Sequence, residues 1–138
     1  MNFTTIKWLG NSISVLDQRK LPAEETYLTL TTVNEVAEAI KNLTVRGAPL
    51  IGVTAAMGVA LGAQQIKTTG VEFFKKEVLK ICDKLLQTRP TAVNLRWALD
   101  RMKQRMEEDT TDKIVESLVT EALTILDEDI ATNRQMGQ

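Results

Sequence analysis

Two short segments place an arginine close to a proline where one helical pattern gives way to the next. The first is Val45-Arg46-Gly47-Ala48-Pro49-Leu50-Ile51-Gly52. Gly47 can take a backbone geometry closed to other residues, Pro49 suits a first helical turn, and Arg46 stands before a helix whose unpaired N–H groups carry partial positive charge. Phosphate is the ligand such a combination attracts, and an ordinary Gly-Pro helix start with a solvated arginine is the plainer alternative. The second segment is Gln87-Thr88-Arg89-Pro90-Thr91-Ala92-Val93-Asn94-Leu95. Here Thr91 or Asn94 can cap the next helix, Pro90 fixes the entry angle, and the planar fork of Arg89 can grip phosphate or hydroxyl oxygens at two points. A plain helix-helix turn is again the alternative. Spacing alone does not say whether the two segments meet.

Other chemistries are closed to this chain. Its 138 residues contain no His and a single Cys, Cys82. Ser-His and Cys-His nucleophile pairs, imidazole bases, four-ligand zinc clusters and internal disulfides therefore cannot be assembled from it. Lys plus Arg number 17 against 18 Asp plus Glu, and only 4% of the residues are aromatic. That balance lacks the basic excess and stacking platform of a nucleic-acid binder. No metal site and no cofactor are expected, and the acid run Glu107-Glu108-Asp109 reads as a solvated connection. The N-terminus carries no secretory pattern, and the most apolar window, Ala48 to Ile66, is broken by Gly52, Gly58, Gly62, Thr54, Gln64 and Gln65. A cytoplasmic protein with a buried helix is expected in place of a membrane span.

The elements that would position the two segments are of two kinds. With 43% hydrophobic and 25% charged residues, the chain has the makings of one globular domain. Up to about residue 31, β-branched and aromatic residues alternate. Strands are predicted at Thr4 to Trp8 and Ser12 to Asp17 around a Gly10-Asn11 turn, with a third from Tyr27 to Thr31 after Leu21-Pro22. From Thr32 the period changes to 3.6. Val33, Val36, Ala37, Ile40 and Leu43 form a first stripe, with Thr32 and Glu35 as a capping box. A second helix is predicted over Pro49 to Ile66, where Gly58 and Gly62 allow close packing. A third carries Val71 to Leu86 and ends before Pro90, a fourth carries Leu95 to Met106, and a fifth Ile114 to Ile130. Cys82 falls on an apolar stripe and reads as a buried structural thiol. The expected fold is α+β: a small antiparallel three-stranded sheet within residues 1–31, then a bundle of about five helices over 32–138.

Arg46-Gly47-Ala48-Pro49-Leu50-Ile51-Gly52 together with Thr88-Arg89-Pro90-Thr91-Ala92-Val93-Asn94-Leu95 resembles the N-terminal domain of the S-methyl-5-thioribose-1-phosphate isomerase family, within the wider initiation factor 2B-like group. Leu16-Asp17-Gln18, Leu21-Pro22, Tyr27 and Val36-Ala37-Glu38-Ala39-Ile40 are similar to it as well. The first motif is shared with ribose-1,5-bisphosphate isomerases and the regulatory subunits of initiation factor 2B; the second is more specific to the thioribose branch.

The resemblance implies substrate contacts at Arg46, Gly47, Ala48 and Arg89, and a cofactor-free conversion of 5-methylthioribose 1-phosphate to the ketose 5-methylthioribulose 1-phosphate in methionine salvage. It also implies that the catalytic Cys and Asp belong to a Rossmann-like C-terminal domain that this chain does not contain. Cys82 does not match that catalytic segment. The expected partners are a sugar phosphate, that C-terminal domain and a second copy in a homodimer, and the chain alone is expected to be inactive. A non-catalytic regulatory domain and a ribose 1,5-bisphosphate isomerase domain are the alternatives.

Overall fold

The computed structural model describes residues 6–20, 23–42, 48–67, 70–108 and 113–136. Alternating residues build β1 (Ile6–Trp8), β2 (Ile13–Leu16) and β3 (Tyr27–Leu30), an antiparallel sheet in the order β1-β2-β3. Trp8 faces Ile13, Ile13 faces Leu30, and Val15 faces both Ile6 and Leu28, so one face of the sheet is apolar. Gly10 closes the first hairpin at φ +99°, a conformation that other residues rarely adopt.

The strands are shorter than predicted. Ser12 and Asp17 fall outside β2, and Thr4 and Leu21-Pro22 lie outside the described residues. Asp17 leaves the strand for a chemical reason. Its buried carboxylate accepts from Arg19 N at 3.1 Å, Nε at 2.9 Å and Nη2 at 2.8 Å, folding the chain into a short 3-10 turn over Gln18–Lys20.

Five helices follow: α1 (Val33–Lys41), α2 (Ala48–Gln65), α3 (Val71–Thr88), α4 (Val93–Glu108) and α5 (Ile114–Met136). The predicted α+β architecture is the one found. Leu43, expected on the stripe of α1, lies outside the described residues. Thr32 caps α1 by accepting from Glu35 N–H at 3.1 Å. The Glu35 carboxylate reaches one residue further back than in a capping box, to Thr31 N–H at 2.7 Å and Thr31 Oγ1 at 2.8 Å. The cap of α4 differs from expectation too. Arg96 N–H bonds Ala92 O at 3.2 Å, which makes Ala92 the N-cap and places Asn94 inside the helix, while Thr91 precedes it. Glu107 and Glu108, expected in a connection, are the exposed last residues of α4, and Asp109 lies outside the described residues.

The core is organised by α2, which is buried from Ile51 through Ala63 and touches all four other helices and β1. Small residues make this possible. A Cβ on Gly58 would stand 2.8 Å from Val36 Cγ1 and 3.3 Å from Leu85 Cδ1, and one on Gly62 would stand 2.6 Å from both Val33 Cγ2 and Ile81 Cδ1. At its far end Gln64 Nε2 donates to Gly10 O at 2.9 Å and Gln65 Nε2 to Thr31 O at 2.6 Å, tying the sheet to the bundle.

Two consequences are measurable. Gly58→Ala gains about 1 kcal/mol of helix propensity but forces the stiff, fully buried Val36 aside at a cost of about 1–3 kcal/mol. Urea unfolding should therefore show a net loss of about 1 kcal/mol, and a stabilised variant would contradict the packing described. The bonds from Thr31 hold the Glu35 carboxyl below its ordinary range. Since the folded value is depressed, this stabilisation is complete above the unfolded value of about 4.3 and fades as pH falls through the folded value. Glu35→Gln should lose less stability between about pH 5 and pH 3 than the parent chain; an unchanged pH slope would remove Glu35 from the cap.

Candidate functional site

The first turns of α2 and α4 meet. Gly52 lies so close to α4 that a Cβ there would stand 3.0 Å from the Asn94 carbonyl oxygen and 3.6 Å from Ala98 Cβ. Beside this crossing is a cavity of about 220 Å³ lined by Pro49, Gly52 and Val53 of α2, Asn94 and Trp97 of α4, and Ile125, Glu128 and Asp129 of α5. Residues from both motifs thus border one space, which spacing alone left open. Thr54, which follows Val53 in α2, is buried and satisfies its hydroxyl by donating to Leu50 O at 2.7 Å.

Of the four residues expected to bind substrate, Arg46 and Gly47 lie outside the described residues. Ala48 is the first residue of α2, at the helix end where unpaired N–H groups favour an anion. Arg89 follows the last turn of α3. Its N–H donates to Leu86 O at 3.3 Å and its carbonyl accepts from Ala92 N–H at 3.0 Å, which closes the turn around Pro90. The Arg89 side chain is partly buried, is not part of the cavity lining, and makes no hydrogen bond or ion pair with another described residue.

Sequence reasoning missed the far wall. Trp97, Ile125, Glu128 and Asp129 belong to no motif, and the α5 residues reach the site only through helix packing. Glu128 accepts from Arg101 Nη1 and Nη2, both at 2.7 Å, and Arg101 Nε donates to Glu121 at 2.5 Å. The Arg101 fork holds the Glu128 carboxyl below its usual range, whereas burial raises that of Asp129. Arg101 also stands over the Trp97 ring, 5.4 Å from its centroid. The only available sign was the spacing of Trp97 and Arg101, one helical turn apart. Chemically, the arrangement offers an anion-favouring helix start on one side and a mixed apolar and carboxylate wall on the other.

This sheet-and-bundle domain, with two helix starts bordering one cavity, has known counterparts. The sequence model described as "Initiation factor 2 subunit family" matches residues 44–138, and the chain belongs to that family. Within it, the chain is 46% identical over its whole length to the methylthioribose-1-phosphate isomerase of Geotalea daltonii, spanning 41% of that protein. It is 47% identical over 97% of its length to the isomerase of Bacillus pumilus, spanning 38% of it. Among solved structures, 5-methylthioribose 1-phosphate isomerase from Pyrococcus horikoshii superposes with a TM-score of 0.91 at 46% identity, covering 96% of this chain and 38% of that one. The delta subunit of translation initiation factor eIF-2B from A. fulgidus superposes with the same TM-score, 0.91, at 34% identity, covering 99% of this chain and 40% of that one. The chain spans about two fifths of the length of these relatives, corresponding to the N-terminal part of the isomerases.

Cys82 is fully buried on α3 among the apolar residues of the core, and burial pushes its thiol up to about 11, with Lys103 and Asp100 acting in opposite directions. It is the structural thiol its position predicts. At pH 8 the folded chain should alkylate with iodoacetamide more than about 100-fold more slowly than the urea-unfolded chain, because so little thiolate is present. Equal rates would show an accessible thiol.

Proposed function

We propose that this chain is the substrate-binding N-terminal part of a methylthioribose-1-phosphate isomerase, a cofactor-free aldose-ketose isomerase of methionine salvage. The observation that carries this is the 46% identity to an isomerase along the whole chain, against 34% to the initiation-factor subunit of equal structural likeness. In this reading the substrate phosphate sits at the start of α2, where Arg46, Gly47 and Ala48 bind phosphate and sugar, and Arg89 supplies a second cationic contact. A guanidinium fork holds a phosphate at two points, and helix N–H groups add to it without a further side chain. Moving hydrogen between C1 and C2 needs an acid-base group, and none of these four residues is one. That step belongs to a C-terminal domain, as do the main contacts of a homodimer in the cytoplasm.

The structural likeness to the initiation-factor subunit supports a second reading, a regulatory domain that binds a sugar phosphate or a protein without turnover.

The test uses the full-length protein that contains this chain, assayed with methylthioribose 1-phosphate and with ribose 1,5-bisphosphate, alongside the chain alone. Turnover of the first substrate by the full-length protein and none by the chain alone is expected. Arg46→Ala and Arg89→Ala should each lower kcat/KM by about 30-fold, equivalent to about 2 kcal/mol for a lost charge-assisted hydrogen bond. Absence of turnover in the full-length protein would favour the regulatory reading; preference for the bisphosphate would change the substrate; unchanged kinetics in both variants would take the arginines out of the site.

A further inference from the structure

The cavity between α2, α4 and α5 is chemically uneven. Pro49, Val53, Trp97 and Ile125 give it an apolar side, and Glu128 and Asp129 add two carboxylates to its lining. At about 220 Å³ it is smaller than the roughly 300–1,000 Å³ that holds a whole drug-sized ligand, so it is sized for one end of a molecule. That end is not a phosphate. Glu128 stays ionised because both its oxygens are gripped by Arg101, and with Asp129 next to it a phosphate dianion would meet two acidic side chains. The start of α2 takes the anion, and the cavity is left for the uncharged end.

Trp97 makes the apolar side specific. It is 52% exposed, although large aromatics normally bury most of their surface. Its ring is also braced. The Arg101 guanidinium lies 5.4 Å from the ring centroid and is itself fixed by Glu121 at 2.5 Å and by Glu128 at 2.7 Å. An exposed ring held in place before any ligand arrives is a preorganised contact surface.

We propose that this cavity receives the apolar 5-substituent of the sugar phosphate, the methylthio group, with Trp97 as the specificity-determining wall and Arg101 as the residue that positions its ring. The assignment rests on the isomerase reading above. Thioether sulfur packs favourably at aromatic rings, and the methyl group adds burial that a bare sugar carbon lacks.

The experiment compares two substrates in one enzyme preparation, full-length protein with methylthioribose 1-phosphate and with 5-deoxyribose 1-phosphate, which lacks the thioether. The ratio of the two kcat/KM values is independent of the fraction of folded enzyme, so a poorly folding variant still reports. Trp97→Ala should reduce the preference for the thioether substrate about tenfold, combining the lost sulfur-ring contact and methyl burial. Trp97→Phe should restore most of it, and Arg101→Met should lower it in part. Turnover of both substrates with an unchanged ratio in Trp97→Ala overturns the pocket assignment and leaves the isomerase reading intact. Turnover of neither substrate by the parent protein overturns both.

Discussion

A helix with no solvent face dictates most of this architecture. From Ile51 to Ala63 every residue of α2 is buried, with the four other helices and β1 around it. A helix surrounded this way must be apolar on all sides, and it must be thin if its neighbours are also to touch one another. Alanine and glycine meet both demands. The absence of side chains at Gly58 and Gly62 lets Val33 and Val36 of α1 and Ile81 and Leu85 of α3 close directly on the backbone. Glycine lowers helix propensity by about 1 kcal/mol at each position, and the packing of five elements on one axis offsets it.

The same constraint confines polar function to the ends of α2. Its C-terminal glutamines bond the backbone of the sheet at Gly10 and Thr31. Its N-terminal turns face α4 and α5 across the cavity, where Gly52 allows the Asn94 backbone to approach. Position along one buried axis thus separates structural polar contacts from those available to a ligand. Charge is arranged to match. The Glu121-Arg101-Glu128 network joins α4 to α5 beside the cavity.

Most of the fold was legible because periodicity records burial. The change from alternation to a 3.6 period near Thr32 marked the step from sheet to bundle, and Pro90 marked the end of α3 to within two residues. The misplaced details were local contests between hydrogen-bond partners. Asp17 extends a strand pattern, but its buried carboxylate prefers the Arg19 fork and ends β2 early. Thr91 and Asn94 have good capping side chains, yet the turn closed by Arg89 and Ala92 sets the start of α4 between them. The site was legible by halves. Glycine and proline at a helix start signal local geometry, and Pro49 and Gly52 do border the cavity, whereas Trp97, Ile125, Glu128 and Asp129 reach it through an α4-α5 contact. Pairing between segments some thirty residues apart leaves no periodic trace.

The carboxylates at this cavity bear on the division of labour in the proposed reaction. A general base for proton transfer between C1 and C2 works best with a pKa near the operating pH. Glu128 is displaced the other way, held ionised by a two-point bond to Arg101, and its oxygens are already occupied in accepting those bonds. It fixes Arg101 over the Trp97 ring and adds an acidic group to the cavity lining. In the proposed function, acidic residues opposite an anion-favouring helix start orient the substrate, with its phosphate toward α2 and the uncharged part of the sugar toward the cavity. In that reading the reacting carbons, C1 and C2, lie beside the phosphate at the start of α2, and the group that moves the hydrogen between them is not Glu128.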